Sequence, residues 1–186
     1  MKVIENVNTI INELSENSSQ IDGQQLEEAV QMILDANRVF IAGSGRSGFV
    51  GRAFANRLMH MGLTMYFTGE TTTPSIREGD LLFVLSGSGS TASHVSNTNV
   101  AKKVGAKVLT ITIFPENTIG SLADQCVVLP GYTYKSDSTD QIETKQLAGS
   151  MFEQLSWITC DAIAMELKER LNQTQDQMQY RHANME

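Results

Sequence analysis

Cysteine is close to absent from this chain. Cys126 sits in a short apolar run and Cys160 in a helical stretch, and neither their number nor their spacing fits a disulfide framework or a zinc cluster. That scarcity sets the expectation of a reducing compartment, the cytoplasm. No group of His, Cys, Asp and Glu has metal-ligand spacing, so the chemistry is expected to use no metal and no cofactor. Long hydrophobic runs are missing too: the longest, Leu81 to Leu85, is far too short to cross a bilayer. The opening MKVIENVNTIINELSEN carries acids where a secretion signal carries bases, so no membrane role is expected. Basic residues are in deficit, with 14 Lys and Arg against 21 Asp and Glu and a net charge of -7. A nucleic-acid surface needs clustered cations, so none is expected, and any bound anion must be held by a local device. Repeats, low-complexity tracts and linkers are lacking, and 186 residues with 41% hydrophobic content are enough for one core. One domain over 1–186 is the expectation.

What is present is an alternation of patterns. Val3, Val7, Ile10, Ile11 and Leu14 recur at helical spacing, as do Leu26, Val30, Ile33 and Leu34, predicting two amphipathic helices over 3–17 and 22–36 as an N-terminal extension. Apolar runs at 39–42, 63–67, 81–85, 108–113 and 127–129 then read as strands. They are bounded by Gly and Pro with little polar alternation, the pattern of parallel strands buried on both faces. Helices are predicted over 47–61, 91–104 and 144–171, with a short turn at 118–122. The fold class is three-layer α/β. The tail from 172 to 186 lacks a core-facing stripe and by itself would be disordered. Residues 131–143 form the longest unpatterned stretch, a candidate lid or substrate wall as readily as a plain connection.

Two loops carry the chemistry. The first strand runs into Gly43, Ser44, Gly45, Arg46, Ser47 and Gly48 before a helix, which places backbone amides and a helix N-terminus at the sheet's carboxyl edge, an anion site. The same G-x-G-x-x-G spacing fits a dinucleotide fold. That fold, however, wants an acid closing the second strand, and here Leu-Thr-Met-Tyr-Phe is followed only later by Glu70. The second loop, Ser86, Gly87, Ser88, Gly89, Ser90 and Thr91, again follows a buried strand and precedes a helix. Its hydroxyls are donors, and Gly87 and Gly89 let the backbone approach an anion. Together the loops suit one phosphate monoester. The competing reading is two Gly/Ser turns whose hydroxyls only cap their helices.

Gly45-Arg46-Ser47-Gly48, Thr73-Pro74, Gly79-Asp80, Ser86-Gly87-Ser88-Gly89, Gln146, Gly149-Ser150, Phe152-Glu153-Gln154 and His182-Ala183-Asn184 resemble, in order and spacing over almost the whole chain, the 6-phospho-3-hexuloisomerase family of SIS-domain proteins. The loops alone are shared with other SIS isomerases, aminotransferases and sugar-phosphate-sensing regulators; the Gly-Ser-x-Phe-Glu-Gln and His-Ala-Asn segments are more specific. The resemblance implies an αβα sandwich with a five-stranded parallel sheet in flavodoxin-like order. It implies that Ser47, Ser86, Gly87, Ser88, Gly89, Ser90 and Thr91 bind the sugar phosphate, and that Glu153 is the catalytic base; Gly45 is counted with them in the first loop, and Arg46 either pairs with the anion or equally serves a subunit salt bridge. It also implies a homotetramer with composite sites, in which the tail docks on a neighbouring subunit and brings His182 to the reaction. Ser90 stands where many members carry Glu, and Met185 where Leu is commoner.

The implied reaction interconverts D-arabino-hex-3-ulose 6-phosphate and D-fructose 6-phosphate, within formaldehyde fixation by the ribulose monophosphate pathway. A base removes the C2 proton, acidified by the C3 carbonyl, and a proton returns at C3 of the shared enediol. Glu153 shares a helix face with Trp157, four residues on. Of the two sugars only fructose 6-phosphate closes a ring through O5, so His182 is expected to assist ring opening. His60 and His94 read as packing or surface, and Lys135 as a candidate anion partner. Two alternatives stand beside this reading. An arabinose 5-phosphate isomerase of the same fold often has regulatory domains after it, and a non-catalytic sensor usually opens with a basic helix-turn-helix, whereas residues 1–36 here hold one basic residue, Lys2.

Overall fold

A strand with apolar side chains on both faces must be covered on both faces, and the five apolar runs become the five strands of one parallel sheet. The computed structural model of the chain describes residues 1–135 and 141–185. The strands are β1 (Val39–Gly43), β2 (Met65–Phe67), β3 (Leu81–Leu85), β4 (Lys107–Thr112) and β5 (Gln125–Val128), in the order β2-β1-β3-β4-β5. Every pairing is parallel, with Val39 beside Leu81 and Leu85 beside Ile111.

Alternation along the strands divides the interior in two. Val39, Ile41, Leu81, Phe83, Leu85, Leu109 and Ile111 pack with Ile33 of α2 (Gly23–Asp35), Phe54 and Leu58 of α3 (Gly45–His60), and Leu155 and Ile163 of α6 (Ser150–Arg170). Phe40, Ala42, Leu82, Val84 and Val108 face the other way, onto Ala101 of α4 (Ala92–Lys103) and Ile119 of α5 (Thr118–Leu122). The result is the αβα sandwich with the strand order that the resemblance implied.

Outside this sandwich lies α1 (Lys2–Ser18), none of whose residues is buried. It is tied down by Glu13, whose carboxylate accepts hydrogen bonds from the Thr144 hydroxyl (2.7 Å), the Lys145 amide (3.0 Å) and the Gln146 side chain (3.1 Å). That anchor explains why α6 begins six residues later than its pattern predicts. Residues 144–146 are held by Glu13, and Gly149, at φ 86°, adopts a left-handed conformation that no helix continues through. Glu153 thereby falls in the first turn of α6.

The tail also departs from expectation. Thr174 and Gln177 form a reciprocal capping box that starts α7 (Gln175–Tyr180). Beyond it, Arg181 Nη1 donates to the His60 carbonyl (3.0 Å) and to Gln173 Oε1 (2.8 Å). Polar capping, Arg181 and the apolar contact of Met178 with the core hold this segment without an apolar stripe. Among the described residues no helix is long and apolar enough to cross a membrane.

The strand order dictates where a ligand can sit. From β1 the chain crosses by α3 to β2 on one side, and from β3 by α4 to β4 on the other. The connections diverge, so the carboxyl ends of β1 and β3 open a crevice between them.

Candidate active site

Both Gly/Ser loops meet at this crevice. The first is tight: a Cβ at Gly48 would lie 2.8 Å from the Gly43 carbonyl oxygen, so only glycine lets α3 leave β1 so abruptly. The second is pinned from outside by Asn117 Nδ2 donating to the Ser88 carbonyl (2.8 Å) and by the Ile119 amide donating to the Gly89 carbonyl (2.9 Å). Gly89 takes φ +62°, a conformation that disfavours any side chain.

The hydroxyls in these loops are not consumed by capping. Ser44 and Thr91 occupy the N-cap positions of α3 and α4, yet neither side chain bonds an amide of its helix. Asp22 and Thr174, at the same position on α2 and α7, both do. This contrast weighs against the reading in which the serines and threonine serve only their own helices. At each helix start the first-turn amides are available to an anion, apart from that of His94, which donates to the Thr91 carbonyl (2.9 Å), and the positive ends of two helix dipoles point at one place.

That place is a cavity of about 320 Å³. It is walled by the two loops, by Gly149, Phe152 and Glu153 of the α6 start, by Ile113, and by Thr133, Tyr134 and Lys135. Of the residues singled out in the sequence, Gly45, Arg46, Ser47, Ser86, Gly87, Ser88, Thr91 and Glu153 come together here. Gly89 and Ser90 belong to the same loop but not to the wall, and Ser90 is exposed. The candidate lid contributes its first residues as wall; residues 136–140 of it lie outside the described residues.

Glu153 is 16% exposed, and its Oε2 contacts Nε of Arg46, itself 67% exposed. The hydrogen bond to Glu153, and then the charge of that carboxylate, hold the Arg46 guanidinium above its ordinary pKa. The group touching the carboxylate is therefore a cation, while Trp157, on the same helix face, is 46% exposed. A second cavity of about 440 Å³ adjoins the first, sharing Arg46 and Glu153 and continuing over Leu14, Phe49, Trp157 and Ile158.

His94, which the sequence suggested was packing or surface, lines the cavity at 4% exposure. Its Nε2 lies 2.9 Å from Ser44 Oγ, and burial pushes the imidazole pKa below the usual histidine value. The available signal was its spacing: three residues after the N-cap Thr91 puts it one turn into α4, on the same side. His182 is elsewhere. Its ring stacks on that of His60 at 4.5 Å, at the far end of α3. The 16 residues of that helix separate it from the cavity within one chain by roughly 24 Å.

Residues 32–151 match the model of the SIS domain, the class of protein that the sheet order and the paired loops define. Over 184 residues the chain is 38% identical to a 3-hexulose-6-phosphate isomerase of Mycobacterium gastri, covering 99% of this chain and 92% of that one. It is likewise 38% identical over 186 residues to a 3-hexulose-6-phosphate isomerase of Bacillus subtilis, covering the whole of both. A crystal structure from Methanococcus jannaschii, from which a molecular function of 3-hexulose-6-phosphate isomerase was inferred, superposes with a TM-score of 0.82 at 30% identity, covering 98% of this chain and 99% of that one. The chain belongs to the SIS-domain family of 3-hexulose-6-phosphate isomerases.

Proposed function

We infer that this protein interconverts D-arabino-hex-3-ulose 6-phosphate and D-fructose 6-phosphate. The observation that carries the reading is the presence, on the wall of one cavity, of a carboxylate and of a hydroxyl-and-amide cradle for an anion. The phosphate is held by Ser47, Ser86, Ser88 and Thr91 with the amides of the two helix starts. Glu153 takes the proton from C2 of the 3-ketose. The electron pair of that C–H bond forms the C2=C3 double bond as O3 gains a proton, and the enediol collapses with a proton delivered to C3 and one lost from O2. Because Arg46 engages Oε2, Oε1 of Glu153 is left to carry the proton between adjacent carbons, and the guanidinium offsets negative charge developing on the sugar oxygens.

The chain works in the cytoplasm as a homotetramer and as a single domain, in formaldehyde fixation by the ribulose monophosphate pathway. Support for assembly comes from large apolar side chains left exposed: Phe49 and Ile158 on the wall of the second cavity, and Val3, Ile4 and Ile11 on α1. Covering that cavity with another copy would bring a neighbour's surface to Glu153. His182 reaches a cavity only across such a boundary, where it assists opening of the fructose 6-phosphate ring. Light scattering at catalytic concentrations tests this; a monomer would remove the route for His182.

The reaction itself is tested by incubating the protein with fructose 6-phosphate in deuterated water. Deuterium at C3 of recovered sugar is expected. Label at C1 would point to an aldose-forming isomerase, and no label would mean a binding protein without catalysis.

A further inference from the structure

Ser44 and His94 have no part in the roles assigned so far, and their geometry is unusual. Ser44 has the extended backbone of an N-cap residue, a position whose hydroxyl ordinarily accepts a bond from an amide of its own helix. Here that bond is not made, and Ser44 Oγ lies instead 2.9 Å from Nε2 of His94, fifty residues away. The His94 ring is 4% exposed, lines the cavity, and has no hydrogen-bond partner on Nδ1 among the described residues.

A neutral imidazole carries one proton. Were it on Nδ1, a buried N–H would be orphaned, which folded proteins rarely tolerate; an unpaired buried acceptor is less costly. The lone Nδ1 therefore favours the proton on Nε2, donated to Ser44 Oγ. A serine hydroxyl also has one proton. With its oxygen occupied as an acceptor from His94, that proton is free to turn into the cavity. In the opposite arrangement Ser44 would donate to Nε2 and present lone pairs to whatever binds, an arrangement a phosphate dianion, which only accepts, would disfavour.

We propose that His94 is a positioning residue for the phosphate: by donating from Nε2 to Ser44 Oγ it withdraws that hydroxyl from capping α3 and makes it a further donor to the bound anion. This rests on the reading of the cavity as a sugar-phosphate site. It adds one hydroxyl, oriented by a histidine on the other loop's helix, to a cradle otherwise made within each loop.

The probe is inorganic phosphate, measured by calorimetry against the full chain, alongside turnover of fructose 6-phosphate. Ser44→Ala and His94→Phe are each expected to weaken phosphate binding about tenfold, the size of one lost hydrogen bond to a charged group. KM is expected to rise by the same factor while kcat holds. The double variant should bind no worse than Ser44→Ala alone, and His94→Gln, whose amide can still donate, should recover most of the affinity. Nitrogen-15 spectra, in which His94 is one of three histidines, should show its proton on Nε2 in the phosphate complex. Additive losses in the double variant, an unchanged phosphate affinity in folded His94→Phe, or a proton on Nδ1 in the complex would each overturn the proposal. Should His94→Phe fail to fold, the spectra of the unmodified chain and the affinity of His94→Gln decide it. Loss of phosphate affinity in a protein that never turns over the sugar would keep this inference and remove the isomerase reading.

Discussion

Two arginine–carboxylate pairs sit at opposite ends of the sheet, and they are built for different ends. At the amino end Asp80 is 2% exposed and is surrounded: Arg38 donates to it through Nε at 2.9 Å and Nη2 at 2.5 Å, and the Arg77 amide adds a third bond at 2.8 Å. At the carboxyl end Glu153 has one guanidinium on one oxygen, an exposed partner, and a cavity on either side. The first pair leaves the carboxylate nothing more to do. The second leaves an oxygen free and a cation that solvent or a ligand can draw away. A salt bridge thus marks structure where the carboxylate is buried and its hydrogen bonds are complete, and marks chemistry where the same residue types leave a carboxylate oxygen unclaimed at the crevice.

Substitution is the sharpest way to separate them. Glu153→Gln is expected to lower kcat by about 10² to 10⁴, the range for loss of a general base, with phosphate affinity and melting temperature nearly unchanged. A variant that kept its turnover would make Glu153 as structural as Asp80. Asp80→Ala should do the reverse, lowering the urea midpoint because Arg38 and the Arg77 amide lose their shared acceptor, while kcat of the remaining folded protein holds. If Asp80→Ala were as stable as the parent, the enclosed pair would contribute nothing and the contrast would fail.

A smaller effect comes from pH. Burial pushes the Asp80 carboxyl up, but the hydrogen bonds and charge of Arg38 with the Arg77 amide outweigh it and hold the pKa below the ordinary aspartate value. The native state therefore binds fewer protons than the unfolded chain as the acid range is entered. The resulting stability is fully present above the unfolded value of about 3.9 and is lost as pH falls through the lower folded value. Melting temperatures between pH 5 and pH 3 should drop less steeply in Asp80→Asn than in the parent; parallel slopes would remove Asp80 as a source of acid sensitivity.

How far the sequence spoke depended on the range of the interaction involved. The five strands were legible because Val39 to Ala42 and Leu81 to Leu85 are buried on both faces by their own composition, a signal contained in a few residues. The anion loops were legible for the same reason, since Gly45 and Gly89 adopt conformations that their own lack of a Cβ permits. The start of α6 was misplaced because Glu13, more than a hundred residues upstream, claims Thr144 and Gln146. The tail was misread because a capping box and Arg181 hold it where no hydrophobic stripe does. His94 was passed over because the face of α4 turned to the crevice is set by packing on the sheet, and α4 has little apolar patterning of its own to reveal it.

By itself the chain's sequence determined the sheet, its burial on both sides, and the two flexible-backbone loops that interrupt it, because each is written in neighbouring residues. Only tertiary structure decided that the loops share one cavity with Glu153, that Ser44 meets His94 rather than its own helix, and that His182 lies at the other end of α3. Those outcomes depend on which strands are adjacent and which way helices face, and pairing between distant segments is settled by the packing of the whole.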